Sequence, residues 1–216
     1  MDTQFIEHDW FSQHIPVWEN LLGYLKHAPG LRGLEIGSFE GRSATWMLQN
    51  LFTHPTSELT CVDTFEYNAG FENITRTMML KMPAQMDLEG RFDANMKAIG
   101  AGKRVRKIKG SSRDVLRTLP VGTFDFIYID GSHTTPDVLA DAVLSFDLLK
   151  KNGVLVFDDY RWNCFPDEPL RNPTKGIDAF LECYEQEIVV FCKEHQVFLR
   201  RISDAGGPSP EPEHFT

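Results

Sequence analysis

Basic residues, cysteines and long apolar runs are all scarce in this sequence, and each shortage argues against a class of function. Lysine and arginine number 22 against 31 acidic residues, so the 216-residue chain carries a formal net charge of -9. A chain of this charge repels phosphate backbones, which argues against a nucleic-acid partner. The four cysteines follow no zinc-binding spacing. No apolar run is long enough to span a membrane, and Met1–Glu7 does not resemble a signal peptide. We therefore expect a cytoplasmic protein without a membrane partner.

Short apolar runs alternate with helical patterns between residues 31 and 158. The runs are Leu31–Gly37, Leu59–Asp63, Arg104–Lys109, Phe124–Asp130 and Val154–Asp158. Amphipathic stretches separate them, and strands that alternate with helices form a parallel sheet covered on both faces. Two further β-rich runs, Glu187–Cys192 and Gln196–Ile202, follow one another closely and predict an antiparallel hairpin. The sequence therefore predicts an α/β, Rossmann-like three-layer sandwich whose mostly parallel seven-stranded sheet ends in that hairpin.

Three segments lie outside this alternation. Apolar residues between Ile15 and Leu25 follow helical spacing and predict a leading helix that packs on the sheet. The segment 64–90 contains four methionines and lies directly after the second strand; it is either an extra packed helix or a lid over a substrate. The tail 204–216 is rich in glycine, proline and glutamate and is predicted to be disordered. We expect one domain over residues 1–203.

A glycine-containing loop between a strand and a helix is the best motif in the chain. It reads Leu34-Glu-Ile-Gly-Ser-Phe-Glu-Gly-Arg-Ser43, and its glycines, Gly37 and Gly41, allow the backbone to pass close to a ligand. Such a turn is also common for structural reasons alone. Asp63 ends the next strand, where an acid can accept hydrogen bonds from a ribose diol. The dinucleotide pattern G-x-G-x-x-G is missing, which favours a ligand with a ribose but no pyrophosphate and argues against a nicotinamide dehydrogenase.

Acidic residues also end the fourth and fifth strands. Asp130 follows the fourth strand, and Asp158 and Asp159 follow the fifth. Carboxylates brought together at one sheet edge repel each other unless a proton or a cation intervenes, and an all-oxygen site suits Mg²⁺. The alternative is that one acid caps a helix or pairs with an arginine while the others are solvated.

From Leu31 to Ile202 the chain resembles the class I S-adenosylmethionine-dependent methyltransferases, and within them the small-molecule O-methyltransferases. The residues 35–43 are similar to the first motif of that branch, and Gly110-Ser-Ser-Arg-Asp114 resembles its adenine-contacting segment. The resemblance implies Gly37 and Gly41 against the cofactor, Ser43 near the methionine carboxylate and Asp63 on the ribose. The cofactor site that it implies comprises Glu35, Gly37, Ser38, Gly41, Ser43, Asp63, Ser112, Arg113 and Asp130. For Ser111 or Ser112 the alternative, which is compatible with this role, is a helix N-cap.

Metal-dependent O-methyltransferases carry acids at the positions of Asp130, Asp158 and Asp159, so the resemblance implies that these three bind Mg²⁺ or another divalent cation. A second acid that sugar-modifying relatives carry is replaced here by Ser132, which makes His133 the candidate general base beside Asp130. His133 can equally contact the cofactor or its own loop. The function implied is metal-assisted O-methylation of a small-molecule hydroxyl. The alternatives are a metal-independent methyltransferase and a non-catalytic S-adenosylmethionine-binding module, and homo-oligomerisation is left open.

Overall fold

A seven-stranded sheet forms the centre of the protein, as a computed structural model describes it for residues 2–6, 8–66 and 86–204. The strand order is β3-β2-β1-β4-β5-β7-β6. The strands are β1 (Arg32–Ile36), β2 (Glu58–Asp63), β3 (Val105–Lys109), β4 (Phe124–Ile129), β5 (Leu149–Phe157), β6 (Ile188–Lys193) and β7 (Val197–Arg201). The first five are parallel, and β7 runs antiparallel to both β5 and β6. The predicted sheet, including its terminal hairpin, is confirmed.

Helices cover both faces of the sheet, because each buried strand presents apolar side chains alternately to the two sides. In β4, Phe126 and Tyr128 face one core, whereas Ile127 and Ile129 face the other. The helices that contribute to the first core are α1 (Ile15–Leu22), α2 (Arg42–Asn50) and α3 (Leu88–Ala98); those of the second are α4 (Ser112–Val115), α5 (Thr135–Leu148) and α6 (Thr174–Cys183). This arrangement is the predicted three-layer sandwich.

Several predicted boundaries shift in the structure. The leading helix is α1, extended by a 3-10 turn over Gly23–Leu25. Helix α5 begins at Thr135 with Thr134 as its N-cap, so Pro136 is its second residue. The fifth strand begins at Leu149, five residues earlier than the run Val154–Asp158 indicated, because α5 passes into it without a loop.

The two segments predicted to be irregular lie largely outside the described residues. Of the proposed insertion 64–90, the structure describes 64–66 and 86–90, and the latter include the start of α3 at Leu88. The choice between lid and packed helix for 67–85, and the disorder of the tail after 204, stay predictions. Among the described helices, none combines the length and the apolar character that crossing a membrane requires.

Candidate cofactor and metal site

The predicted site residues gather at the carboxyl edge of the sheet, where the strand order reverses between β1 and β4. In open α/β sheets this reversal opens a crevice that ligands occupy. Backbone hydrogen bonds continue the ladder one residue past the strands: Gly37 N–H donates to Val62 O at 2.8 Å, and Asp130 N–H donates to Ile36 O at 2.8 Å. The residues that follow β1 and β4 are thereby fixed side by side.

Both loop glycines are required by the fold, for different reasons. Gly37 has φ +89°, and a Cβ there would lie 2.0 Å from the carbonyl oxygen of Asp130. Gly41 is the N-cap of α2 with φ +82°, and its Cβ would lie 2.9 Å from both Met96 Cε and Phe92 Cδ2. Close packing against the β4 loop and against α3 therefore explains these glycines without a ligand.

Glu35 is a fully buried carboxyl group beneath this loop, and it is incompletely satisfied. Ser43 Oγ donates to Glu35 Oε1, whereas Glu35 Oε2 and Ser38 Oγ are buried without a hydrogen-bond partner among the described residues. Burial raises the pKa of Glu35 from 4.5 to about 7, although the neighbouring side chains of Ser43, Ser38 and Cys61 lower it. Unpaired buried polar atoms are uncommon and costly, so this pair fits a polar ligand above the loop. The hydroxyl proton of Ser43 is already given to Glu35.

Asp63 sits half-buried at the end of β2 and holds two loops. Its carboxylate accepts the N–H of Phe39 at 2.8 Å on one oxygen and the N–H of Phe65 at 2.7 Å on the other. Each oxygen retains a further acceptor site, so the same carboxylate can receive a ligand diol while the protein fixes its orientation.

The adenine candidates lie on α4, after the end of β3. Arg113 donates to Pro136 O at 3.1 Å and to Asp137 Oδ1 at 2.9 Å, which ties its guanidinium to the start of α5. Ser112 is the first residue of α4, so the N-cap position belongs to Ser111, whose side chain makes no capping hydrogen bond.

The acids that follow β4 and β5 converge on one phenol. Tyr128 Oη donates to Asp158 Oδ2 and lies 3.2 Å from Asp130 Oδ2. Burial, followed by the charges of Asp158 and Asp159, raises the pKa of Asp130 well above its ordinary value. Burial, followed by the charges of Asp130 and Asp158, raises the pKa of Tyr128, which stays a donor. Burial and Asp158 raise the pKa of Asp159 to about 8. Proton uptake or a cation relieves this repulsion.

The structure also brings His133 into this group. Asp130, His133 and Asp159 each offer one ligand atom, and these atoms all lie within 4.8 Å of one another. His133 Nδ1 is 3.4 Å from Asp159 Oδ2, and the ring packs against Trp162 with centroids 5.0 Å apart. Burial lowers the pKa of His133, so its imidazole is neutral near neutral pH. Asp159 has φ +58°, a strained conformation for a non-glycine residue.

Asp158, by contrast, is occupied by the protein on both oxygens. Oδ1 accepts the N–H of Asp159 at 2.7 Å and Gln196 Nε2 at 3.1 Å, and Oδ2 accepts from Tyr128. Sequence reasoning missed Tyr128 and Gln196. The strand pattern could have identified Tyr128, because a residue two positions before Asp130 on a strand faces the same side as Asp130. No local pattern in the sequence marks Gln196.

Comparisons with known proteins agree with this fold. A family model described as a methyltransferase domain matches residues 34–160. An uncharacterized protein of Acanthamoeba polyphaga mimivirus is 30% identical over 161 residues, and the match covers 71% of this chain but 63% of that protein. The O-methyltransferase TomG from Streptomyces achromogenes, solved with SAM, has a TM-score of 0.62 at 16% identity over 90% of this chain and 82% of its own. MycE from the mycinamycin biosynthetic pathway, solved with Mg and SAH, has a TM-score of 0.60 at 16% identity; the match covers 94% of this chain and 53% of the MycE chain.

Proposed function

The chain belongs to the methyltransferase domain family, whose model matches more than half of its residues, and we propose that it uses S-adenosylmethionine to methylate a hydroxyl group of a small molecule with the help of a divalent cation. One observation is the main support for the proposal. The unpaired Glu35 Oε2 and Ser38 Oγ lie at the same sheet edge as the cluster of Asp130, His133 and Asp159. A site for a cationic ligand thus adjoins a site that can bind a metal and move a proton.

The residues of the loop fit the distinctive groups of S-adenosylmethionine. Glu35 Oε2 and Ser38 Oγ suit the ammonium group of its methionine part, because they are buried acceptors without a partner. The free N–H groups at the start of α2 suit the carboxylate. The second acceptor sites of Asp63 suit the ribose diol. When bound, the cofactor supplies an electrophilic methyl group; the loop binds and orients it.

The acids fit a divalent cation for electrostatic reasons. Burial disfavours the charged forms of Asp130 and Asp159 and raises both pKa values; the charges of Asp158 and Asp159 raise that of Asp130 further, and the charge of Asp158 raises that of Asp159. We propose Asp130 and Asp159 as direct ligands of the cation. Asp158, whose oxygens are hydrogen-bonded by the protein, adds a nearby negative charge that attracts the cation. When bound, a cation of this kind neutralises the acids and favours ionisation of a nearby hydroxyl.

His133 is the proposed proton acceptor. Its Nδ1 faces Asp159 Oδ2 at 3.4 Å, which leaves Nε2 to take the proton of the acceptor hydroxyl. Asp159 then stabilises the imidazolium that forms, and Trp162 restricts the rotation of the ring. Either ring nitrogen of a neutral imidazole can also ligate a metal, so the competing role for His133 is that of a metal ligand.

A small acceptor suits the charge of the site better than a nucleic acid does. The densest basic stretch, 103–109, includes the edge strand β3. There, Lys107 is paired with Glu89 at 2.9 Å and Asp93 at 2.7 Å, and Lys109 is paired with Glu89 at 2.8 Å. These pairs neutralise two of the five basic residues in the stretch, which weakens it as a contact for a phosphate backbone.

Calorimetry and a methyl-transfer assay test the proposal together. S-adenosylmethionine should bind and NAD should not, and transfer to a panel of small hydroxyl compounds should stop with chelator and return with Mg²⁺. Asp159→Asn should retain cofactor binding and lose the stimulation by Mg²⁺, with Asp93→Asn as the surface control. Transfer that survives exhaustive chelation would support the metal-independent alternative, and cofactor binding without any transfer would support the non-catalytic module.

The two roles of His133 give different results in the same assay. If it is the base, His133→Asn should lower kcat with little change in the Mg²⁺ concentration needed for half-maximal activity. If it is a ligand, that concentration should rise.

A further inference from the structure

A second group of metal-binding residue types lies beside Asp158. His14, Asp158 and His195 each offer one ligand atom, and these atoms lie within 4.8 Å of one another. His14 ends the 3-10 turn Ser12–His14 before α1, and His195 lies in the turn between β6 and β7. Three segments that are distant in the chain thus bring two imidazoles and a carboxylate together.

The histidines are poorly satisfied by the protein. His195 Nδ1 is buried without a hydrogen-bond partner among the described residues, and it faces Asp158 Oδ1 at 4.0 Å. His14 Nε2 has an exposed contact with Gln13 Nε2 at 3.3 Å. The two imidazole rings lie 4.9 Å apart, tilted by 31°. A buried ring nitrogen aimed at a carboxylate without bonding to it leaves room for a ligand between them.

We propose that His14, Asp158 and His195 form a second cation site that takes a transition metal of the zinc type. Imidazole nitrogen suits zinc and its neighbours, whereas the oxygen-rich group of Asp130 and Asp159 suits magnesium. Ligand atoms about 2.1 Å from a tetrahedral ion are about 3.4 Å from each other. Side-chain movements of up to about 1.4 Å therefore bring ligand atoms that lie within 4.8 Å of one another to this separation, and a tetrahedral ion keeps its fourth position for water.

The surroundings hold the site in place before any metal binds. Gln196, next to His195, accepts from Trp18 Nε1 at 2.8 Å and donates to Asp158 Oδ1 at 3.1 Å. The backbone carbonyl of His195 accepts the N–H of Tyr160 at 2.7 Å. Asp158 Oδ1 already accepts from the N–H of Asp159 and from Gln196 Nε2, so a metal there would replace the Gln196 hydrogen bond, and the two imidazoles would also adjust. A bound metal would tie the start of α1 to the hairpin turn, which goes beyond methyl transfer and is measurable without it.

Zinc titration of the full-length chain in the presence of millimolar Mg²⁺ tests the proposal. Mg²⁺ competes with zinc for the oxygen-rich group, and a parallel titration of His133→Ala, which removes the imidazole from that group, reports on the second site. His14→Ala and His195→Gln should each weaken zinc binding by more than the 10–100-fold that loss of an outer-shell partner costs. The matched control is His54→Ala, which changes a half-buried histidine outside both groups, and zinc should raise the Tm of the control but not of the two variants.

Unchanged zinc affinity in both variants, or zinc binding that disappears only in His133→Ala, overturns the proposal. Should a variant fail to fold, pulsed electron paramagnetic resonance of Cu²⁺ bound to the His133→Ala protein decides instead. Two ligating imidazoles support the site, and one or none contradicts it.

Discussion

Replacing Glu35 by glutamine should remove the pH dependence that this buried carboxyl group imposes on stability. Glu35 is fully buried, and its pKa of about 7 lies well above the unfolded value of 4.5. Below pH 4.5 the group is protonated in both states and has no effect. Between pH 4.5 and 7 only the unfolded chain releases the proton, so the folded state loses stability as the pH rises. The pKa difference corresponds to about 3 kcal/mol once the pH exceeds 7.

Urea unfolding between pH 5 and pH 8 measures this effect. The difference in unfolding free energy between Glu35→Gln and the parent protein should grow with pH, reaching about 1–3 kcal/mol in favour of the variant at pH 8. Ser43 can still donate to the glutamine oxygen, so the hydrogen bond at Oε1 is retained. Glu58→Gln, at the exposed start of β2, should follow the parent curve.

Parallel pH profiles for the parent and Glu35→Gln would refute this reasoning, because they would mean that Glu35 is paired in the folded chain. The same variant also tests the cofactor assignment. A cationic ligand favours the ionised carboxylate, so S-adenosylmethionine should bind the parent more tightly at pH 7 than at pH 5 and release protons as it binds. Glu35→Gln should abolish both effects, which calorimetry in buffers of different ionisation enthalpy can measure.

Three further predictions concern Gly37 in the loop, Asp63 at the end of β2 and the segment 64–90 that follows it. Gly37→Ala should cost at least about 2–3 kcal/mol of stability in urea unfolding, because its Cβ would lie 2.0 Å from Asp130 O; Gly30→Ala, with φ +69° and nothing within 4 Å, should cost about 1–2 kcal/mol. Asp63→Ala should weaken S-adenosylmethionine binding by about 1.5–3 kcal/mol, the value of hydrogen bonds to a charged group; unchanged affinity in the folded variant would remove the ribose assignment. The segment 64–90 should gain hydrogen-exchange protection when cofactor and acceptor bind, whereas strong protection in the free protein would identify an ordinary packed helix.

Local sequence patterns were sufficient for the architecture because they depend on periods that each segment carries within itself. The alternation of strands and helices predicts a parallel sheet, and a parallel sheet places the ends of its strands at one edge. That rule alone put Asp63, Asp130 and Asp158 at the same edge as the glycine loop. Boundaries were less accurate where one element passes directly into the next, as α5 does into β5 at Leu149.

Only the tertiary structure decided which side chains share a partner at that edge. Neighbouring acids in sequence separate in space: Asp158 is taken by Tyr128 and Gln196, whereas Asp159, in a left-handed conformation, turns towards His133. The contact between His14 and His195 joins the two ends of the fold. Such pairings depend on the packing of α1 and of the hairpin turn against β5, and no local period encodes the distance between segments that far apart in the chain.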